Sequence, residues 1–166
     1  MAVDAPKTLT VSLGDRSYPI VIGEQCLAEL PGMLARAGVR GRVAVCTGTN
    51  VGPLYAEAVL SHLNDAVVCT MDAGEPNKRL SVIEQFIGDF LKAGLDRASA
   101  VVALGGGVVG DTAGYAAASF MRGIHYVQVP TTIVAQVDSR VGGKTAHKNA
   151  LGKNKNGENH KPTSDI

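Results

Sequence analysis

The 166-residue sequence is short of charge, of cysteine and of long apolar runs, and each shortage removes a class of protein. Lys and Arg number 16 against 15 Asp and Glu, a formal net charge of +1. General nucleic-acid binding needs a basic face that this balance does not provide. No run of about 18 apolar residues occurs, so no membrane-spanning segment is expected. The opening MAVDAPKTLTVSL lacks a basic stretch followed by an apolar one, so no secretory signal is expected. The three cysteines, Cys26, Cys46 and Cys69, have neither metal-ligand nor redox spacing. They read as small buried residues of a reducing cytoplasm. His62 and His125 read as packing or surface groups, and no H-x-x-x-H pair or Cys/His cluster offers a metal site.

What is present supports one domain, with a small excess. Hydrophobic residues make up 45% of the chain, enough for a real core. Charged residues are 19%, below the usual ~25%, and the mean hydropathy is +0.10, so much of the surface is expected to be hidden internally or against a partner. Glycine is in excess, 20 of 166. It gathers in GGGVVG and VGGK rather than in repeats, which points to backbone approaching a ligand.

The hydrophobic pattern alternates. Thr8 to Leu13 and Tyr18 to Ile22 read as strands joined by a turn at Gly14-Asp15-Arg16. Leu27, Leu30 and Leu34 recur at helical spacing, with Gly38 as a stop. Val43 to Cys46 is a strand. A helix with Pro53 in its first turn follows, with Leu54, Tyr55, Ala58 and Val59 expected on one face. Ala66 to Met71 is a strand. Lys78 to Lys92 is the clearest helix, with an apolar stripe of Leu80, Ile83, Phe86, Ile87, Phe90 and Leu91, and Asn77 as its expected cap. Ser99 to Leu104 is a doubly buried strand, Val108 to Phe120 a tightly packed small-residue helix, and His125 to Val129 a strand stopped by Pro130. Alternation after an opening hairpin predicts an α/β fold: a Rossmann-like, mostly parallel sheet with helices on both faces. Ligands in such sheets bind at the carboxyl ends of the strands. Cys46 to Val51, Gly105 to Asp111 and Pro130 to Thr132 fall there. The composition breaks near Ala146. From 147 to 166 only Ala150, Leu151 and Ile166 are apolar. The expected division is therefore an α/β domain over 1–146 and a polar tail over 147–166, too poor in apolar surface to offset its ordering entropy.

Gly105, Gly107 and Gly110 satisfy G-x-G-x-x-G between a strand and a helix. One reading is phosphate held on bare N–H groups at a helix start. The other is a tight strand-to-helix turn that needs glycine only for packing. The usual dinucleotide fingerprint sits in the first βα unit, with an acid about twenty positions on. This one comes late, and Tyr126 to Val129 holds no acid. Asp111, expected in the first helical turn, would complement the helix dipole there. DSRVGGKT, Asp138 to Thr145, misses a P-loop because Asp138 stands where glycine is needed, and a carboxylate would repel phosphates. Lys144 beside two glycines still looks like an accessible ammonium. Gly74-Glu75-Pro76-Asn77-Lys78 reads as a turn plus a helix start.

Taken together, the block from Gly105 to Thr145, GGGVVGDTAGYAAASFMRGIHYVQVPTTIVAQVDSRVGGKT, with GEPNK upstream, resembles the 3-dehydroquinate synthase family of sugar-phosphate cyclases. Related cyclases and iron-type alcohol dehydrogenases share a GGG segment, but generally not the combined MRG, VPTT, VDS and GGKT series. The resemblance implies a shikimate-pathway lyase. It would use NAD and a divalent metal, zinc or cobalt, to convert 3-deoxy-D-arabino-heptulosonate 7-phosphate to 3-dehydroquinate and phosphate. It implies NAD contacts from Asn50, Glu75, Lys78, Gly106, Gly107, Val108, Asp111, Thr131, Thr132, Asp138, Lys144 and Lys153. Lys144, Lys153 and Asn154 would also serve the substrate, and Arg122 would reach its phosphate across a homodimer interface.

The sequence departs from that family in three places. Gly48 stands where an aspartate usually contacts the adenosine ribose, a loss of about 1.5–3 kcal/mol if nothing replaces it. Ala146-His147-Lys148-Asn149-Ala150 replaces a stretch ending in His-Pro. Lys155, Asn156, Glu158 and Asn159 replace largely apolar residues. The family's helical second domain, with its Glu and two His metal ligands, would lie beyond Ile166. On that reading the chain alone is an inactive fragment, with a face left exposed where the second domain would pack. The rival readings are a non-catalytic NAD-binding module, a related sugar-phosphate cyclase and a polyol dehydrogenase.

Overall fold

The computed structural model describes residues 5–12, 14, 17–138, 147–149, 152–154 and 164–165, with backbone only from 138 onward. An antiparallel hairpin opens the chain: β1 (Lys7–Val11) pairs with β2 (Tyr18–Ile22), Lys7 opposite Ile22 and Val11 opposite Tyr18. The tip is closed by the Ser17 N–H donating to the Gly14 carbonyl at 3.1 Å, with Gly14 at φ 64. A 3₁₀ turn, Cys26–Glu29, leads into α1 (Leu30–Arg36). Gly38, at φ 85, ends that helix as its spacing predicts.

Four parallel strands follow: β3 (Val43–Gly48), β4 (Ala66–Met71), β5 (Ala100–Gly105) and β6 (His125–Pro130). They are linked by α2 (Gly52–Leu60), α3 (Leu80–Lys92) and α4 (Gly107–Ser119), and α5 (Ile133–Asp138) follows β6. The later strands are β7 (His147–Asn149), β8 (Gly152–Asn154) and β9 (Ser164–Asp165). The main sheet runs β1-β2-β9-β6-β5-β3-β4, while β7 and β8 form a separate antiparallel pair.

Period-two alternation in the buried strands divides the core in two. Ala44, Cys46, Val101, Ala103 and Tyr126 face α3 and α4, with Phe86, Phe90, Ala113, Ala116 and Ala117 packed on them. Val43, Val45, Val102, Leu104 and Val127 face α1 and α2, under Leu30, Met33, Leu34 and Val59. Every residue of β3 and β5 is buried, as the unbroken apolar runs predict. Edge strand β4 alternates at its end, with Val68 exposed and Cys69 and Met71 buried.

The structure turns α2 away from its expected face and narrows the expected stripe of α3, which keeps Ile83, Phe86, Ile87 and Phe90 inward. In α2 the buried ridge is Val59 with Ala56, Leu60 and Leu63 half-buried, a run at i, i+3, i+4 and i+7; Leu54, Tyr55 and Ala58 are exposed. In α3 the ridge is Val82, Ile83, Phe86 and Phe90, while Leu80 and Leu91 lie outside. Helix α3 also begins two residues later than expected. Arg79, in extended conformation, precedes it, and Asn77 does not cap it. Asn77 sits in a 3₁₀ turn, Glu75–Asn77, and its amide donates to the Ala73 carbonyl at 3.0 Å. Of the cysteines, Cys46 and Cys69 are buried and face each other across β3 and β4, while Cys26 is only half-buried. Burial in this apolar layer pushes the Cys46 thiol well above its ordinary value.

Phe90 is the centre of the first layer. Its ring lies 6.3 Å from Phe86 and meets Phe120 edge-on at 5.5 Å, with no exposure to solvent. Phe90→Ala is expected to cost about 3–5 kcal/mol, read as a lowered urea midpoint at unchanged slope.

Candidate functional site: a glycine-rich cleft at the strand switch point

The order β4-β3-β5-β6 makes the crevice between β3 and β5 a switch point. The connection after β3 runs to β4 on one side, and the connection after β5 runs to β6 on the other. Loops diverge there and leave a gap at the carboxyl ends, where open α/β sheets bind their ligands. A cavity of about 290 Å³ occupies it. Its walls are Gly48, Asn50 and Val51 after β3, Met71 to Gly74 after β4, Gly106 to Val109 after β5, and Thr132 after β6.

The glycines of the G-x-G-x-x-G run divide between the two roles weighed for them. A Cβ on Gly105 would stand 2.8 Å from Val109, and one on Gly110 would stand 2.5 Å from the Gln128 amide. Those two let α4 lie close on β5 and β6. The Tyr126 hydroxyl donates to the Gly110 carbonyl at 2.7 Å and fixes the same contact. Gly107 is different: a Cβ there would meet nothing within 4 Å. Packing does not require glycine at 107, yet it forms the first turn of α4 and faces the cavity. The first N–H groups of a helix have no partner within it, and the helix dipole favours an anion there.

Asp111 is the fifth residue of α4, so it lies in the second turn rather than the first. Dipole complementation therefore does not account for it. Its carboxylate instead accepts a hydrogen bond from the Lys78 ammonium. Lys78 follows the 3₁₀ turn at φ −78, ψ 73, outside any helix, and this is what lets it reach back to α4. The two side chains retain only 15% and 23% exposure. The GEPNK segment is thus more than a turn: Gly74, at φ 103, and Pro76 bend the chain so that Lys78 reaches Asp111 on α4.

The structure brings five of the expected site residues together here. Asn50, Gly106, Gly107, Val108 and Thr132 line the cavity, while Lys78 and Asp111 pair one turn further along α4, outside its lining. Glu75 is exposed in the turn after β4. Thr131 and Thr132 separate. Thr132 lines this cleft and accepts from the Ala135 N–H at 3.2 Å. Thr131 lines a second, apolar cavity of about 270 Å³ beneath β2, α2 and α5. Arg122 lies at the opposite end of the sheet, where the parallel strands begin, beyond α4 and before β6. The 13 residues of α4 put it about 20 Å from the cleft. Met121 and Arg122 both take left-handed φ values, 51 and 68. Lys144 lies outside the described residues, as do the side chains of Asp138, Lys153 and Asn154. The tip of β4, Asp72 to Gly74, is a wall the sequence reading missed; its signal was that the strand Ala66 to Met71 ends at the same edge.

The family model for the N-terminal part of 3-dehydroquinate synthase matches residues 68–166. The chain belongs to the 3-dehydroquinate synthase family. The 3-dehydroquinate synthase of Pelobacter propionicus is 48% identical over 158 residues, 93% of this chain and 44% of that protein. A 2-deoxy-scyllo-inosose synthase, solved with carbaglucose-6-phosphate, NAD+ and Co2+, superposes with a TM-score of 0.89 at 27% identity, over 96% of this chain and 45% of that one. The 2-epi-5-epi-valiolone synthase of Streptomyces hygroscopicus, solved with NAD+ and Zn2+, gives 0.79 at 29% identity, over 93% and 44%. The chain therefore spans under half the length of these relatives. Among the described residues no helix is long and apolar enough to cross a membrane, and no three His, Cys, Asp or Glu gather as a metal site.

The Lys78–Asp111 pair is checked by a double-mutant cycle. Lys78→Met or Asp111→Asn alone is expected to destabilise by about 1–2 kcal/mol, below the 3–5 of a fully buried pair because some solvent reaches it. The double variant should recover about 1 kcal/mol of the sum, read by chemical denaturation.

Proposed function

We propose that this chain is the nucleotide-binding part of a 3-dehydroquinate synthase and that the β3–β5 cleft holds NAD. The observation that carries the reading is Gly107, bare backbone at a helix start that faces open space and that packing does not require. A pyrophosphate fits it: the N–H groups of the first turn supply donors, and the absent side chain supplies room. Other lining residues suit the same group: Gly106 and Val108 would flank the pyrophosphate and Asn50 would address the ribose. By the family resemblance Glu75 and Lys78 would address the ribose and neighbouring groups. Asp111, held by Lys78, would face the nicotinamide side, and Thr132 would offer a hydroxyl after β6, whereas Thr131 opens on the other cavity and would not reach this cleft.

Bound NAD supplies a hydride acceptor that takes electrons from a ring hydroxyl and returns them. In a whole 3-dehydroquinate synthase that chemistry would ready 3-deoxy-D-arabino-heptulosonate 7-phosphate to lose phosphate on the way to 3-dehydroquinate. Asp138, Lys144, Lys153 and Asn154 would stand between cofactor and sugar. Arg122, too far from the cleft of its own chain, would serve the substrate phosphate of a second copy in a homodimer. The zinc or cobalt of the family finds no three-ligand group among the described residues, so no step is assigned to it here. The working place would be the cytoplasm. A second reading, an NAD-binding module without turnover, is favoured by Gly48 at the ribose position.

The test is calorimetric titration of the purified chain with NAD, beside an assay of phosphate release from the heptulosonate phosphate with added zinc. NAD binding without phosphate release is expected. Failure of the folded chain to bind NAD overturns the nucleotide reading, and sustained phosphate release overturns the assignment as a part. Gly107→Asp should keep the circular-dichroism spectrum, because nothing lies within 4 Å of the new Cβ. It should weaken NAD binding at least about tenfold, since a carboxylate would face the phosphates.

A further inference from the structure

We infer that Asp72, at the tip of β4, reads the adenosine ribose in place of the carboxylate missing from β3, and thereby selects NAD over NADP. The inference rests on the proposed NAD site. In a dinucleotide fold the acid that binds the ribose diol stands at the end of the strand beside the glycine-rich one. Here the glycine-rich strand is β5, and its neighbour on the cleft side is β3, which ends in Gly48. That position is neutral, and so are Thr49 and Asn50 after it.

One strand further out, the chain brings a carboxylate to the same wall. The Thr49 N–H donates to the Met71 carbonyl at 2.9 Å, and the Ala73 N–H donates to the Thr49 hydroxyl at 3.1 Å. These two bonds bracket Asp72. They tie its backbone to the residue that follows Gly48, so Gly48 and Asp72 border one cavity. Asp72 is exposed, as a residue reaching for a ligand hydroxyl must be. A carboxylate there accepts from the 2′ and 3′ hydroxyls of NAD. It repels the 2′-phosphate of NADP, so one group supplies both attraction and rejection. Gly48 contributes space: a Cβ there would lie 3.6 Å from Val109 and 3.9 Å from the Met71 carbonyl, ordinary contacts in a backbone outside the left-handed region. An aspartate can therefore be put back.

The experiment measures NAD and NADP affinities by calorimetry for the 166-residue chain, for Asp72→Asn, and for Asp72→Asn combined with Gly48→Asp, each checked by circular dichroism. The unaltered chain should prefer NAD. Asp72→Asn should lower NAD affinity about ten- to a hundredfold and narrow or reverse the preference. The double variant should restore it, showing that a carboxylate at this wall is what was lost. An unaltered chain that binds the two nucleotides equally, or an Asp72→Asn chain with an unchanged ratio, overturns the inference. Binding of neither nucleotide by the unaltered chain overturns the underlying cofactor reading, and this inference with it.

Discussion

Helix α4 lies against β5 and β6 at a distance only small residues permit, and the cleft depends on that fit. Gly105 cannot carry a side chain without driving it into Val109. Gly110, Ala113, Gly114, Ala116 and Ala117 are all buried along the same helix. The Tyr126 hydroxyl bonds the Gly110 carbonyl, tying helix to sheet through a polar atom that would otherwise be costly to bury. This contact aims the start of α4 at the gap between β3 and β5. A larger residue at 105 or 110 would lift the helix, and the N–H groups of its first turn would no longer face the cavity. The glycines that hold the helix down and the glycine that leaves its mouth open therefore do different work within one motif.

Charge is placed by backbone bends rather than by helix faces. Lys78 would have pointed elsewhere had α3 begun there, because a helical lysine follows the stripe of its neighbours. The Glu75–Asn77 turn delays the helix by two residues and frees Lys78 to meet Asp111. Neither charge is left alone in a half-buried site, where desolvation of a lone carboxylate or ammonium would cost several kcal/mol. Along the wall of the cleft, two bonds through Thr49 hold the tips of β3 and β4 together. The cleft thus carries an exposed carboxylate, Asp72, on its wall, while the Lys78–Asp111 charges are closed on each other outside its lining.

Much of the architecture was legible because the buried strands write it in hydrophobic runs. Strand β5 is apolar throughout and β3 is apolar but for Thr47, and both bury both faces. The glycine and proline stops at Gly38 and Pro130 end elements close to where they were read. Helix faces were less legible. In α2, Leu54 and Tyr55 satisfy a helical period as well as Ala56 and Leu60 do, and only the sheet beneath decides which pair turns inward. The start of α3 was misread for a similar reason. Asn77 has the chemistry of a cap, but its amide bonds back to Ala73 within the turn, a local alternative open to short polar side chains.

The site was legible by motif where the motif is contiguous, and not where space assembles it. Thr131 and Thr132 are neighbours that a linear reading groups together. The chain leaves β6 at Pro130 and bends at Thr132, so the two neighbours part. Thr132 consequently opens on the glycine cleft and Thr131 on the apolar cavity beneath β2. Asp72 is the converse case. Nothing near it in the sequence marks it, since the tips of β3 and β4 meet only because parallel pairing sets Gly48 beside Met71. Register, which no single segment contains, decides which carboxylate can stand in for the one that β3 lacks.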